Sequence, residues 1–116
     1  KIVGSSDVYK RQTAKSDGVV RIHADVEAVR TSNEVGVTYI TVQESADGGK
    51  TWTTLETFIK EDLNMYEEDS ALYYGTFDFD DTVIGRDYRA LVGVYAERNG
   101  DGDVRSVYTN EVTAKR

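Results

Sequence analysis

Between positions 20 and 28 the chain alternates without a break. Val20, Ile22, Ala24, Val26 and Ala28 are apolar, and Arg21, His23, Asp25 and Glu27 separate them. A period of two sends the first set to one side of an extended strand and the second set to the other. Such a segment needs a layer to bury its apolar face, while its polar face stays wet, which is how strands of antiparallel sheets behave. The pattern returns over 88–98, with Tyr88, Ala90, Val92, Val94 and Ala96 expected inward. Residues 35–44 are rich in β-branched and aromatic side chains and read as another strand, with 51–60 as its hairpin partner. Over 71–80, Tyr73, Phe77 and Phe79 share one face, and Leu72 and Tyr74 the other.

Turn signals separate these runs. Asn99-Gly100-Asp101-Gly102 is a tight turn, because Asn and Gly accept positive φ. Gly85 marks a turn over 80–87, and 104–114 is the closing strand. The acidic stretch 61–70 is expected to cross between sheets, with room for one helical turn. The predicted fold is all-β, an antiparallel two-sheet sandwich of about seven strands. At 116 residues the chain makes one domain and can bury roughly two-thirds of its unfolded surface. It has no cysteine, which removes disulfides, thiolate metal sites and a cysteine nucleophile. It has no proline either, so edge strands need charges, kinks or loops for protection. No apolar run approaches the roughly 20 residues of a membrane span. Fourteen basic residues against 21 acidic ones give a net charge of −7, which disfavours nucleic acid and anionic membranes as partners.

The sharpest local motif is Ser45-Ala46-Asp47-Gly48-Gly49-Lys50-Thr51-Trp52. It resembles the Asp-box, S-x-D-x-G-x-T-W, at every fixed position. In sialidases and related proteins that box is a structural hairpin turn, so the resemblance implies structural roles for Asp47, Gly49 and Trp52. Asp47 can accept backbone N–H groups within the turn, and Gly49 can supply a φ that other residues resist. A sialidase propeller is excluded by length, since one box and 116 residues cannot build several four-stranded blades.

The second half of the chain resembles a fibronectin type III or immunoglobulin-like domain, at the level of pattern over residues 16–116. Gly85-Arg86-Asp87-Tyr88-Arg89-Ala90-Leu91-Val92 is similar to the approach to that family's penultimate strand, and Asn110-Glu111-Val112-Thr113 to its closing strand. The resemblance implies that the Tyr88 hydroxyl folds back onto the preceding loop, forming a tyrosine corner. That family's early-strand tryptophan has no counterpart between positions 19 and 30. The chain is also similar to small secreted bacterial sandwich domains of unassigned function. Asp7-Val8-Tyr9-Lys10-Arg11-Gln12 resembles the translation of a transposon end used in sequencing-library adapters, which implies an assembled metagenomic gene. On that reading residues 1–12 are non-native, the domain is 13–116, and any natural signal peptide lies upstream.

Candidate chemistry is sparse. His23 is the single histidine, and Asp25 on its face is positioned to orient it as a base, although an exposed strand histidine explains both residues. Asp78, Asp80 and Asp81 form one acidic cluster, and Glu67, Glu68 and Asp69 another, either of which could hold the carboxylate pair of a glycoside hydrolase. Asn99, Asp101 and Asp103 alternate across a Gly-containing turn, like the first ligands of a calcium loop, but no chelating Glu follows at the right spacing. Among the strand aromatics, Trp52, Tyr39, Tyr74 and Tyr95 are the candidates for stacking on sugar rings. The expected function is a non-catalytic, secreted or surface-exposed binding or structural module without a cofactor, its partner an unidentified protein or glycan. The alternatives are a carbohydrate-binding module using exposed aromatics and, third, a carboxylate-dependent hydrolase.

Overall fold

A computed structural model describes residues 2–10, as backbone, and 18–115. The described chain is all-β and antiparallel, in one hydrogen-bonded network of seven strands. These are β1 (Ile2–Lys10), β2 (Val20–Ser45), β3 (Thr53–Ile59), β4 (Tyr66–Phe79), β5 (Asp87–Arg98), β6 (Asp101–Tyr108) and β7 (Val112–Thr113). A single helical turn, α1 (Lys60–Leu63), follows β3 and ends at Asn64, whose φ is 50°.

β2 organises the rest. Its first arm, 20–28, lies between β1 and β4, and its second arm, 39–45, lies between β3 and β5. β6 and β7 join only through β5. The expected strands 20–28 and 35–44 are thus one continuous strand of 26 residues. The join escapes a pattern reading because alternation lapses there. Between Glu27 and Ser32 the chain advances five residues while its partner β4 moves two, from Leu72 to Ser70. An odd number of extra residues exchanges the two faces of a strand. The inward row therefore changes from Val20, Ile22, Ala24, Val26 and Ala28 to Val35 and Val37.

A second bulge follows at once. Val37 pairs with Val94 and Tyr39 with Gly93, leaving Thr38 unmatched. The inward row switches again, to Ile40 and Val42. Uninterrupted alternation would carry Tyr39 inward behind Val35 and Val37. The extra residue turns it out.

Both inward rows meet Tyr88, Ala90, Val92 and Val94 of β5 in one core, where these four side chains are fully buried. Each buried Val or Ile contributes roughly 1.5–3 kcal/mol relative to exposure. Phe58 of β3 reaches across to Phe77 and Phe79 of β4, with ring centroids 4.6 and 6.3 Å away, although β3 and β4 share no hydrogen bonds. The expected inward row of β5 is found, Tyr73, Phe77 and Phe79 of β4 share one face as expected and pack against the core, and the fold class is as read, consistent with a β-sandwich.

The expected closing strand 104–114 is broken in two. Thr109 turns inward, its hydroxyl accepts the Ala90 N–H at 2.8 Å, and its own N–H donates to the Ala90 carbonyl at 2.8 Å. This side chain takes a ladder position, so pairing resumes only at Val112. The expected crossing segment 61–70 is shorter than read, because β4 begins at Tyr66. The proposed boundary between residues 12 and 13 lies outside the described residues. The backbone of Ile2–Lys10 pairs residue for residue with 20–28 as an edge strand.

Gly36 marks where the connection from α1 crosses β2. A Cβ there would strike the Met65 carbonyl and lie 2.6 Å from Tyr66 Cα, both backbone atoms. The Val37 N–H donates to that carbonyl at 2.8 Å. Gly36→Ala is expected to destabilise the domain by roughly 1–3 kcal/mol or more, the usual cost of overpacking. A urea midpoint equal to that of the unmodified protein would contradict this close approach.

Candidate functional site

The outer face of the second arm is built around Tyr39. It lies over Gly93 of β5, where an added Cβ would stand 2.1 Å from Tyr39 Cε2, far closer than any side chain could tolerate. The missing side chain lets the ring lie down on the sheet. Its hydroxyl reaches across β5 and hydrogen-bonds the Ser106 hydroxyl on β6. The ring is held at both ends and half-buried.

Beside it runs a polar ladder. The Thr41 and Thr57 hydroxyls are 2.9 Å apart. The Gln43 amide donates to the Thr54 hydroxyl at 3.2 Å, and Arg89 Nε donates to the Gln43 carbonyl oxygen at 2.7 Å. The Arg89 guanidinium carbon lies 4.3 Å from the Trp52 ring centroid and 4.6 Å from that of Tyr108. Trp52 stands just before β3 and Tyr108 near the end of β6, so the two rings approach Arg89 from opposite sides in strand order. Cation–π contacts of this kind fix a guanidinium that would otherwise be mobile. Tyr108, Val104 and Ile59 are exposed around this patch.

The four aromatics expected to bind sugar do not form one set. Trp52 and Tyr39 share this face. Tyr95 sits on the same side of β5 but is 7% exposed, with Lys60 Nζ 4.9 Å from its ring centroid. Burial and the adjacent Glu34 carboxylate raise its hydroxyl above the ordinary tyrosine range. Lys60 in turn is 2.7 Å from Glu34, which holds the Glu34 carboxyl below its usual range. Tyr95 therefore belongs to a packed junction between α1 and the sheet. Tyr74 is 64% exposed, but it pairs with Asp25 beside the first arm, away from the others. Tyr108, a strand aromatic outside the expected four, and Arg89 complete the face, and Arg89 was not expected at all. A guanidinium two strand positions from an aromatic gives no local pattern to read.

Trp52 is positioned by the turn before it. The Asp47 carboxylate accepts the Lys50 and Thr51 N–H groups at 3.1 and 2.9 Å and the Thr51 hydroxyl at 2.6 Å. The Ser45 hydroxyl donates to Asp47 at 2.7 Å and accepts the Gly49 N–H at 2.8 Å. Gly49 has φ 90°, where a side chain is strained, and the Trp52 ring lies against it. Tyr88 anchors the neighbouring end of the sheet. Its hydroxyl accepts the Val83 N–H at 2.7 Å and donates to Glu44, which also binds Arg86 at 2.9 Å. Burial, then the Glu44 bond, pushes the Tyr88 hydroxyl up to about 12.

Asn99 and Gly100 form a two-residue hairpin turn with φ 51° and 86°. The Asn99 N–H donates to the Asn33 side chain at 2.6 Å. Asn99, Asp101 and Asp103 line a cleft of about 670 Å³. Arg30 and Arg98 line it too, and their charge opposes a cation there. Among the described residues no group of three His, Asp or Glu side chains converges to hold a metal ion. His23 Nε2 lies 2.8 Å from Asp25 on the outer face of the first arm. Asp78 is held by the Arg21 fork at 2.8 and 3.1 Å, and Asp80, Asp81, Glu67, Glu68 and Asp69 are exposed. No helix among the described residues is long and apolar enough to cross a membrane. No protein-family model matches the chain, and no curated protein matches it.

The turn carries its own test. The Thr51 hydroxyl, then the Thr51 N–H, hold the Asp47 carboxyl at about 2, against an ordinary value of 3.8. A depressed carboxylate stabilises the fold fully above its unfolded value and loses that contribution as pH falls through the folded one. Asp47→Asn is expected to lower the thermal midpoint at neutral pH and to flatten the acid dependence between about pH 4 and 2. Superimposable midpoint-against-pH curves for the two proteins would rule out this role.

Proposed function

We propose that this domain is a non-catalytic binding module, and that its ligand face is the outer surface of β3, the second arm of β2, β5 and β6. The observation that carries the reading is Tyr39, a ring laid flat over a glycine and tied at its hydroxyl, flanked by uncharged hydrogen-bonding side chains. Flat, immobilised rings lose little entropy on binding and present a whole face to a ligand. A pyranose ring offers the matching chemistry: an apolar face for the aromatic and hydroxyls for Thr41, Gln43, Thr57 and Ser106. A carbohydrate is therefore the ligand class that fits this face best. Exposed Ile59, Val104 and Tyr108 extend the patch, as interaction surfaces do.

An immunoglobulin- or fibronectin-like identity draws support from the fold-back of Tyr88 onto Val83. The local geometry at 45–51, with Asp47 gathering the turn, supports a structural Asp-box. Placement outside the cell rests on those resemblances alone.

A glycan array probed with and without calcium tests the reading. Binding to a defined glycan set, indifferent to calcium, is expected. Tyr39→Ala should weaken it by roughly tenfold or more, the effect of removing an aromatic hot spot. Silence across the array would reject a carbohydrate ligand and turn attention to protein partners.

A further inference from the structure

Among the groups on this face Arg89 is chemically the odd one. The chain carries a net charge of −7, and its cations are often spent on carboxylates: Arg21 on Asp78, Arg86 on Glu44 and Lys60 on Glu34. Arg89 makes no ion pair among the described residues. Its Nε is engaged by a neutral amide, and its faces by Trp52 and Tyr108. Its two terminal nitrogens have no acceptor among the described residues. A guanidinium carries five N–H donors in a fixed fork, matched to a carboxylate. Here that fork is oriented before any ligand arrives, so little freedom is lost in using it.

We infer that the ligand of this face is an acidic glycan, and that Arg89 binds the carboxylate of a uronic acid residue while another ring of the same chain stacks on Tyr39. Arg89 and Gly93, the residue beneath Tyr39, lie four positions apart on β5, about 13 Å along the strand. That is the span of a short oligosaccharide. Gln43 fixes the fork and is a positioning residue, while Arg89 and Tyr39 touch the ligand. The charge logic agrees. An acidic domain repels an acidic ligand unless a local cation is left uncompensated, and screening limits that repulsion to about 8–10 Å. The inference rests on the carbohydrate reading above and adds the ligand's charge.

The test compares a short oligogalacturonide with its fully methyl-esterified form, which keeps the rings and linkages and removes the charge. Isothermal titration of the full chain should find the acid roughly ten- to a hundredfold tighter, the worth of a charge-assisted bond. Arg89→Gln should bring that ratio to near one, whereas Tyr39→Ala should weaken both ligands and leave the ratio. Equal binding of acid and ester by the unmodified protein would overturn the inference and leave the carbohydrate reading intact. An unchanged ratio in Arg89→Gln would overturn it equally. Failure of both ligands to bind would overturn the inference, and array-wide silence would reject the carbohydrate reading with it. If Arg89→Gln does not fold, judged by its far-ultraviolet dichroism, the ratio in the unmodified protein decides alone.

Discussion

Every part of this domain depends on keeping an apolar row continuous along β2. Four of the other six strands hydrogen-bond directly to it, and β6 and β7 hang from it through β5. A strand of 26 residues is too long to face one core without bending. The bulges near the join and at Thr38 are where the bend is accommodated. Each exchanges inside for outside, and in each case an apolar residue stands at the position the exchange turns inward. Val35 and Val37 lie between the two exchanges, and Ile40 and Val42 follow the second. Losing either bulge would bring Thr41 and Gln43 into the core in place of Ile40 and Val42, at the cost of burying unsatisfied polar groups. Register is therefore specified by burial, not by the turns.

Polar groups close the ends of this frame. At one end Glu44 gathers Tyr88 and Arg86, and at the other Glu34 gathers Lys60. Hydrogen bonds from Tyr88 and from Lys60 lower these two carboxyls. Both bonds therefore favour the folded chain above the usual carboxylate range and weaken on acidification below it. They tie the loop before β5 and the turn after β3 to the sheet.

What the sequence made legible follows from locality. The rows 20–28 and 88–96, the Asn99-Gly100 turn and the shared face of Tyr73, Phe77 and Phe79 rest on strict alternation or on φ preference, and each is found as read. The continuity of β2, the outward turn of Tyr39 and the interruption at Thr109 were not legible. Each is decided by a partner strand. Thr38 becomes a bulge because Val37 and Tyr39 find adjacent partners on β5, and Thr109 interrupts a strand because its hydroxyl finds the Ala90 N–H. The site was half legible for the same reason. Trp52 and Tyr39 announce themselves as strand aromatics, but the burial of Tyr95 follows from where α1 lays Lys60. The partnership of Arg89 with Tyr108 needs the β5–β6 register.

The two arms resolve their outer faces differently, and the proposed binding surface rests on this difference. Along the first arm the outward row Arg21, His23 and Asp25 is charged or titratable, and it satisfies itself: Arg21 with Asp78, His23 with Asp25. Exposed polar pairs of this kind add little stability and keep this face of the sheet soluble. The outward row of the second arm is Tyr39, Thr41 and Gln43, which carries no charge and is fastened sideways to β3, β5 and β6. Solubility alone does not ask for a ring laid over a glycine and tied at its hydroxyl, nor for a guanidinium on the neighbouring strand held against two aromatics. Rigid aromatic area beside oriented donors is what recognition of a sugar chain requires. Only the second arm has both, because the bulge at Thr38 turned Tyr39 outward.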